Sequence, residues 1–190
     1  MFRTKNIVPH LLVLAMVFIT VVVDAQRDTV FWFAAPEVSS GEGDTPIYLR
    51  FTTYDDPATV TVSQPANGGF APIVLSIPAN EVDSINLTPF IADIESSAPD
   101  IADDNGLKIS STTEITAIYE LNAGGNKELF SLKGSKGIGT NFYTPFQKHW
   151  DNAITTPQSS SSIDIVATED GTTVLILSLI HISEPTRQKP

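Results

Sequence analysis

The chain has 190 residues, room for one domain of ordinary size, and its 42% hydrophobic residues are enough for a packed core. It contains no cysteine, which excludes a disulfide scaffold, thiol catalysis and cysteine-ligated metal centres. Its formal net charge is -11, and a surface this acidic repels phosphate backbones, so we expect no nucleic-acid partner.

The N-terminus has the composition of an export signal. A basic start precedes an apolar run over Leu11–Val23, and the small Ala25 suits cleavage before Gln26. The run is shorter than the roughly 20 apolar residues that a membrane-spanning helix needs. We predict a signal peptide at 1–25 and no membrane span after cleavage, with a retained anchor as the alternative. Export without cysteine favours a secreted or envelope protein of a bacterium.

Short blocks of the body alternate apolar and polar residues with a period of two, which is typical of strands with one buried face. Turn-forming residues such as Asp55-Asp56-Pro57 and Asn67-Gly68-Gly69 separate the blocks. A short helix is expected only around Phe90 to Glu95. The strand blocks are Tyr48–Thr52, Thr59–Val62, Ile73–Ile77, Ile85–Leu87, Leu107–Ile109 and Ile115–Leu121, with weaker candidates at Leu129–Leu132 and Phe142–Phe146.

Many short strands separated by turns predict an all-β fold. We expect an antiparallel β-sandwich-like module over 26–155, with Val60, Leu75, Ile115 and Tyr119 facing its interior. Blades like those of a β-propeller are the alternative architecture.

One stretch of the body repeats. Phe51–Val62 (FTTYDDPATVTV) is similar to Val166–Ile176 (VATEDGTTVLI) at an offset of about 115 residues, close to the size of one immunoglobulin-like unit. We interpret each copy as a β-hairpin, with chance similarity of two hairpins as the alternative. The second copy, at 163–177, would then be the first hairpin of a truncated second module, joined by a polar linker at 156–162. A lone hairpin is marginal in water, so its apolar side chains need a partner surface or stay exposed.

The C-terminus departs from strand chemistry after Leu177. The string SLIHISEPTR at Ser178–Arg187 resembles a translated sequencing-adapter tail. We therefore interpret 178–190 as non-native sequence and exclude it from the fold, with a genuine exposed tail as the alternative.

Six strings of the body carry a family resemblance: FWFAAPE at Phe31–Glu37, FTTYDDPATVTVSQP at Phe51–Pro65, SIPAN at Ser76–Asn80, GLKISSTTEITAIYEL at Gly106–Leu121, KGIGTNFYTPF at Lys136–Phe146 and IDIVATEDGTTVLI at Ile163–Ile176. Together they resemble the N-terminal domain of IgGFc-binding protein, common in bacterial surface proteins of the Bacteroidetes type. The resemblance covers most of 30–177, the front part of the family's usual region. It implies a surface-exposed binding role and supplies no catalytic residues. Glu114 departs from the family, which usually has a proline there.

Four aromatic residues are the candidate ligand-binding side chains: Trp32, Tyr54, Tyr143 and Trp150. Exposed planar rings on a sandwich can stack on sugars or anchor a protein partner, although core packing is the commoner fate of such rings. We therefore expect an extracellular protein or glycan ligand of unknown identity.

Metal and catalytic signals are weak. An acidic stretch could bind calcium, but it lacks the EF-hand spacing, so we expect no cofactor and leave calcium as the alternative; its residues are Asp93, Glu95, Asp100, Asp103 and Asp104. His149 lacks a nucleophile elbow, and the glycine-rich stretch Gly134–Thr140 lacks the order of a phosphate-binding loop.

The sequence thus predicts a non-enzymatic, exported binding or adhesion module that is the N-terminal fragment of a larger surface protein. A structural spacer is the second hypothesis. A carbohydrate-active enzyme, which needs two close carboxylates in a cleft, is the third.

Overall fold

The computed structural model of the protein describes residues 26–37, 45–96, 101–123, 126–144 and 163–177. These residues form nine β-strands. The strands are β1 (Asp28–Phe33), β2 (Ala35–Pro36), β3 (Ile47–Thr52), β4 (Ala58–Ser63), β5 (Ile73–Ile77), β6 (Val82–Asn86), β7 (Glu95–Ser96), β8 (Leu107–Ala123) and β9 (Asn126–Ser131). One short helix, α1 (Ile91–Ile94), and two 3-10 turns, Thr88–Phe90 and Gly134–Gly137, complete the list. The all-β prediction is confirmed.

The long strand β8 organises the sheet, because every main strand pairs with it directly or through one neighbour. Its first half pairs antiparallel with β1 and β4, and β4 pairs with β5. Its second half pairs antiparallel with β3 and β9, and β3 pairs with β6. The two halves of β8 therefore belong to two four-stranded sheet halves, and a short parallel pair, β2 with β7, lies apart from them.

The core lies between the inward faces of the two sheet halves. In β3, Ile47, Leu49 and Phe51 are fully buried, while the residues between them are half-buried. Tyr119 of β8 is fully buried, and its ring centroid lies 4.7 Å from that of Phe33. This alternation is what a sheet with one apolar face requires. Val60, Ile115 and Tyr119 are fully buried and Leu75 packs against the core, as the sequence predicts.

A hairpin at the first copy of the repeat was the wrong interpretation. In register, Phe51 of β3 lies opposite Ala117, and Val60 of β4 lies opposite Ser111. Both strands therefore run in the same direction along β8, one after the other. The turn residues between β3 and β4 bend a long strand instead of reversing it, and the bend transfers the chain from one sheet half to the other.

The two sheet halves meet along a line that we call the crease, where β3 ends before β4 and β5 ends before β6, while β8 continues through it unbroken. It consists of 53–57 between β3 and β4, 78–81 between β5 and β6, and the polar 111–114 within β8. The buried Thr53 fastens the crease, because its hydroxyl donates to the carbonyl oxygen of Pro78 at 2.5 Å and accepts from the amide of Glu81 at 3.0 Å. Glu114 is exposed within this line.

Other strand predictions have mixed outcomes. The blocks around Leu107 and Ile115 belong to one continuous strand, and the weak block at Leu129–Leu132 falls largely in β9, so these are confirmed as strand. The weak block at Phe142–Phe146 is not a strand as far as residue 144, beyond which it lies outside the described residues. The expected short helix corresponds to α1.

The segment 163–177 contains a turn at 168–171, but neither of its arms is assigned to a strand. The hairpin of a truncated second module at 163–177 stays a prediction. Leu175 and Leu177 are each 79% exposed. The side chain of Val166 lies close to Gly106 of the body. A methyl group added at Gly106 would lie 3.0 Å from a methyl carbon of Val166.

Some predictions fall on residues that the structure does not describe. These are the signal peptide at 1–25, the linker at 156–162 and the tail at 178–190. In the part of the chain that the structure does describe, no helix has the length and apolar character that crossing a membrane requires.

Candidate functional site

The outward surface of the sheet half formed by β3, β6, β9 and the second half of β8 carries the most distinctive set of side chains. In β3 the side chains of Leu49 and Phe51 point into the core. The side chains between and beside them point outward, and Tyr54 just beyond β3 follows the same alternation; the outward residues of β3 are Tyr48, Arg50 and Thr52. Across the ladder, Glu120 lies opposite Tyr48, Ile118 opposite Arg50 and Thr116 opposite Thr52. We call the surface formed by Arg27, Tyr48, Arg50, Tyr54, Thr116 and Glu120 the Arg–Tyr face.

Arg50 and Glu120 form the charged centre of the Arg–Tyr face. The guanidinium donates a hydrogen bond to the Glu120 carboxylate, and its central carbon lies 5.2 Å from the ring centroid of Tyr48. The hydrogen bond from Arg50 lowers the pKa of Glu120 and outweighs the raising effect of burial. The same bond raises the pKa of Arg50. The pair is therefore fully ionised at neutral pH, and the arginine lies ordered beside Tyr48.

Arg27 and Tyr54 form the second pair of the Arg–Tyr face. The guanidinium carbon of Arg27 lies 3.4 Å from the ring centroid of Tyr54, a distance of direct stacking. The Tyr54 hydroxyl shares a hydrogen bond of 2.6 Å with the hydroxyl of Thr116. Tyr54 is thus fixed at both its ring and its hydroxyl, while the exposed Arg27 keeps its N–H donors toward solvent.

Trp32, the first of the sequence-predicted residues, lies on the other sheet half. It is opposite Lys108 in register, and the Lys108 ammonium lies 5.3 Å from its ring centroid. Thr116, the partner of Tyr54, is eight residues farther along β8, which is about 26 Å of strand. Trp32 and Tyr54 therefore do not form one site.

The other two predicted aromatic residues are Tyr143 and Trp150. Tyr143 is 98% exposed and lies after the 3-10 turn Gly134–Gly137, outside any strand. Trp150 lies outside the described residues. Of the three predicted side chains that the structure describes, Tyr54 alone belongs to the Arg–Tyr face.

The acidic stretch considered for calcium has a structural role in its described part. The buried Gln64 donates from its amide nitrogen to the backbone carbonyl oxygens of Asp93 at 2.6 Å and Asn105 at 2.9 Å. Asn105 in turn donates to the carbonyl oxygen of Glu95 at 2.8 Å. The described residues contain no cluster of three potential ligands, and Asp100 is not among them.

A shallow groove of about 420 Å³ runs along the outside of the crease. Prolines, hydroxyls and apolar groups line it: Pro57, Ala58, Thr59, Ser76, Ile77, Pro78 and Thr112. None of these side chains titrates, so the groove offers no acid–base pair for hydrolysis.

Sequence reasoning identified Tyr54 and missed its partners. The alternation of apolar and polar residues in β3 was sufficient to place Tyr48 and Arg50 on one outward face. It was the signal from which their contact could have been predicted. The pairing of Arg50 with Glu120 depends on the register of β3 on β8, and the pairing of Arg27 with Tyr54 depends on how the N-terminus crosses the sheet. No local sequence pattern predicts either of these two pairings.

Comparison with known proteins returned no match to any family model, curated protein or solved structure. The resemblance to the N-terminal domain of IgGFc-binding protein therefore stays a prediction.

Proposed function

We propose that this chain is an extracellular or cell-surface binding and adhesion module without enzymatic activity, and that its ligand docks on the Arg–Tyr face. The observation that carries the proposal is the pair of outward tyrosines, Tyr48 and Tyr54, each with an arginine guanidinium at its ring. Tyrosine and arginine are enriched among the residues that dominate binding energy at protein interfaces.

The order of these side chains favours binding. Arg27 and Tyr54 hold each other, so a ligand that meets them does not have to immobilise two long side chains, which costs about 0.5–1.5 kcal/mol each at an ordinary interface. A stacked guanidinium presents its donors along its edge, where carbonyl and carboxylate oxygens of a protein or glycan can accept them. A sugar ring cannot lie on a tyrosine face that the guanidinium already covers.

The size of the face predicts a modest affinity. Four strands about 4.8 Å apart and six residues of about 3.3 Å each give an area of about 400 Å². A standard interface buries about 800 Å² on each partner, so this face alone supports a weak contact. Adhesion by many copies on one surface converts such contacts into firm attachment.

The electrostatics of the described residues support a non-enzymatic role. The pKa shifts resolved there belong to Asp28, Arg50 and Glu120, and hydrogen bonds within the fold account for each of them. Arg50 and Glu120 neutralise each other, and Asp28 is occupied by Ser135. None of these groups is held ready for proton transfer to a substrate in a cleft.

The test is binding of the exported chain to two immobilised probes, immunoglobulin G Fc and a glycan array. We expect measurable binding to one probe, weakened at least tenfold by Arg27→Ala and by Tyr48→Ala. The matched control is Thr61→Ala on the outward face of the other sheet half, which should bind as the parent does. Absence of binding by the folded parent would favour the structural spacer, and equal losses in the control would remove the Arg–Tyr face from the proposal.

A further inference from the structure

We propose that Gln26, once exposed as the N-terminal residue, cyclises to pyroglutamate with help from the hydroxyl of Ser131. The inference rests on the proposed export of the chain and on cleavage before Gln26. It assigns a covalent modification to Gln26 and an assisting role to Ser131. Neither residue belongs to the Arg–Tyr face, although Arg27, the neighbour of Gln26, does.

The first three residues of the described body are each fastened by a side chain. The Ser131 hydroxyl donates a hydrogen bond to the side-chain carbonyl oxygen of Gln26. Arg27 stacks on Tyr54. Asp28 accepts hydrogen bonds from the backbone amide of Ser135 at 2.7 Å and from its own neighbours. An N-terminus created at Gln26 would therefore begin on the sheet surface, with its side-chain amide already bonded.

The backbone at Gln26 has an unfavourable conformation while residue 25 is attached. Its φ is 63°, in the left-handed region that side-chain-bearing residues rarely adopt. The cost, about 1–2 kcal/mol, comes from the side-chain carbon of Gln26 against neighbouring backbone carbonyl groups. Removing residue 25 removes the preceding carbonyl, so φ is no longer constrained and part of that cost disappears.

Cyclisation balances without any external reactant. The free α-nitrogen of Gln26 attacks its own side-chain carbonyl carbon, and the oxygen becomes a tetrahedral oxyanion. A proton passes from the α-nitrogen to the side-chain nitrogen, the bond between that nitrogen and the carbonyl carbon breaks, and ammonia leaves. The product is a five-membered lactam that retains the original carbonyl oxygen, so Ser131 keeps an acceptor.

Ser131 lies where the oxyanion develops. A donor already aimed at the carbonyl oxygen makes the carbon more electrophilic and stabilises the charge on oxygen in the transition state. In a buried site one such donor contributes about 10²–10³ in rate. Ser131 is exposed, so solvent competes with it and we expect about tenfold.

The modification changes the charge of the N-terminus. An α-amino group has a pKa near 8 and is largely protonated at neutral pH, whereas a lactam nitrogen carries no charge. The exported body therefore loses one positive charge beside Arg27. The blocked end also denies an aminopeptidase the free amine that it needs to remove Gln26 and then Arg27.

The test exports the full chain from a bacterial host without glutaminyl cyclase and follows the mass of the intact protein and of its N-terminal peptide over time. Cleavage before Gln26 followed by loss of the mass of one ammonia molecule is the expected result. Ser131→Ala should slow the loss about tenfold, while Ser131→Thr keeps the hydroxyl and should retain most of the rate. Ser135→Ala is the control for loosening of the N-terminus, because it removes a contact of Asp28 and leaves Ser131 in place.

The outcomes separate the two proposals. A chain that stays inside the host with residues 1–25 attached contradicts export and therefore the proposed location, and an exported chain that keeps those residues contradicts only the cleavage on which the cyclisation depends. A chain cleaved before Gln26 whose α-amine stays free overturns the cyclisation while leaving export intact. Equal rates for the parent and Ser131→Ala overturn the role of Ser131.

Discussion

Replacing Thr53 by valine tests whether the crease is a structural joint. The Thr53 side chain is 2% exposed, and its hydroxyl makes one donated bond, to Pro78, and one accepted bond, from Glu81. Each bond contributes about 1 kcal/mol, and burying a methyl group in place of the hydroxyl returns about 0.5 kcal/mol. We therefore expect Thr53→Val to lower the free energy of unfolding by about 1.5 kcal/mol. With a urea dependence of about 1.5 kcal/mol per molar, the midpoint should fall by about 1 M.

Two variants control this measurement. Thr53→Ser keeps both hydrogen bonds and should fall by less than half as much. Thr52→Val changes the neighbouring residue, whose side chain points outward, and should move the midpoint by about 0.3 M or less. If Thr52→Val destabilises the protein as much as Thr53→Val does, the hydroxyl of Thr53 does not fasten the crease.

Three further predictions concern the core and the N-terminal clamp. Leu49→Ala opens a cavity at a fully buried site and should cost about 2–5 kcal/mol in urea unfolding; a smaller loss would mean that the two sheet halves close over the space. Gly134→Ala places a side-chain carbon 2.5 Å from that of Asp28 at a φ of 58°, so it should lower the melting temperature by several degrees, whereas Gly68→Ala, with open space around it and no positive φ, should have little effect. Burial raises the pKa of Asp28, but hydrogen bonds from Ser135 and from nearby amides outweigh it, so the pKa in the folded state is lower than its ordinary value of 3.8. The stabilisation from Asp28 is therefore present above that value and lost as the pH falls through the folded pKa, and Asp28→Asn should reduce the acid dependence of unfolding; an unchanged dependence would contradict the clamp.

The sequence predicted which face of a strand is buried, but it did not predict which strands pair with each other. A period of two is imposed by the backbone of a single strand, so the alternation in Ile47–Thr52 was sufficient to predict which side chains are buried. Pairing between strands has no such local rule. β1 (Asp28–Phe33) was not predicted at all, because its run of apolar residues lacks the alternation, although Phe31 is fully buried.

The same contrast applies to the candidate site: the sequence predicts which side chains face outward, but not which of them meet. Tyr54 and Tyr48 could be placed on an outward face from alternation alone. Arg27 reaches Tyr54 from a segment with no periodic signal, and Glu120 reaches Arg50 only because β3 pairs with the second half of β8. Interactions between side chains far apart in the sequence depend on register, and a single sequence does not determine which residues of two distant strands lie opposite each other.

The repeat shows why a turn signal does not determine what the turn does. Hairpins and bent strands both need residues that interrupt pairing, and both continue the alternation on either side, so Asp55-Asp56-Pro57 fits either structure. The direction of β4 relative to β8 decides between them, and β8 begins more than 40 residues later. The second copy has a turn at 168–171 in the equivalent position, with the hydroxyl of Thr172 donating to the carbonyl oxygen of Glu169 at 2.7 Å. Neither described arm beside this turn is assigned to a strand, and the apolar residues from Val174 to Leu177 are exposed. Burial in the first copy is therefore a property of β8, β5 and β6, which supply the neighbours, and not of the repeated residues themselves.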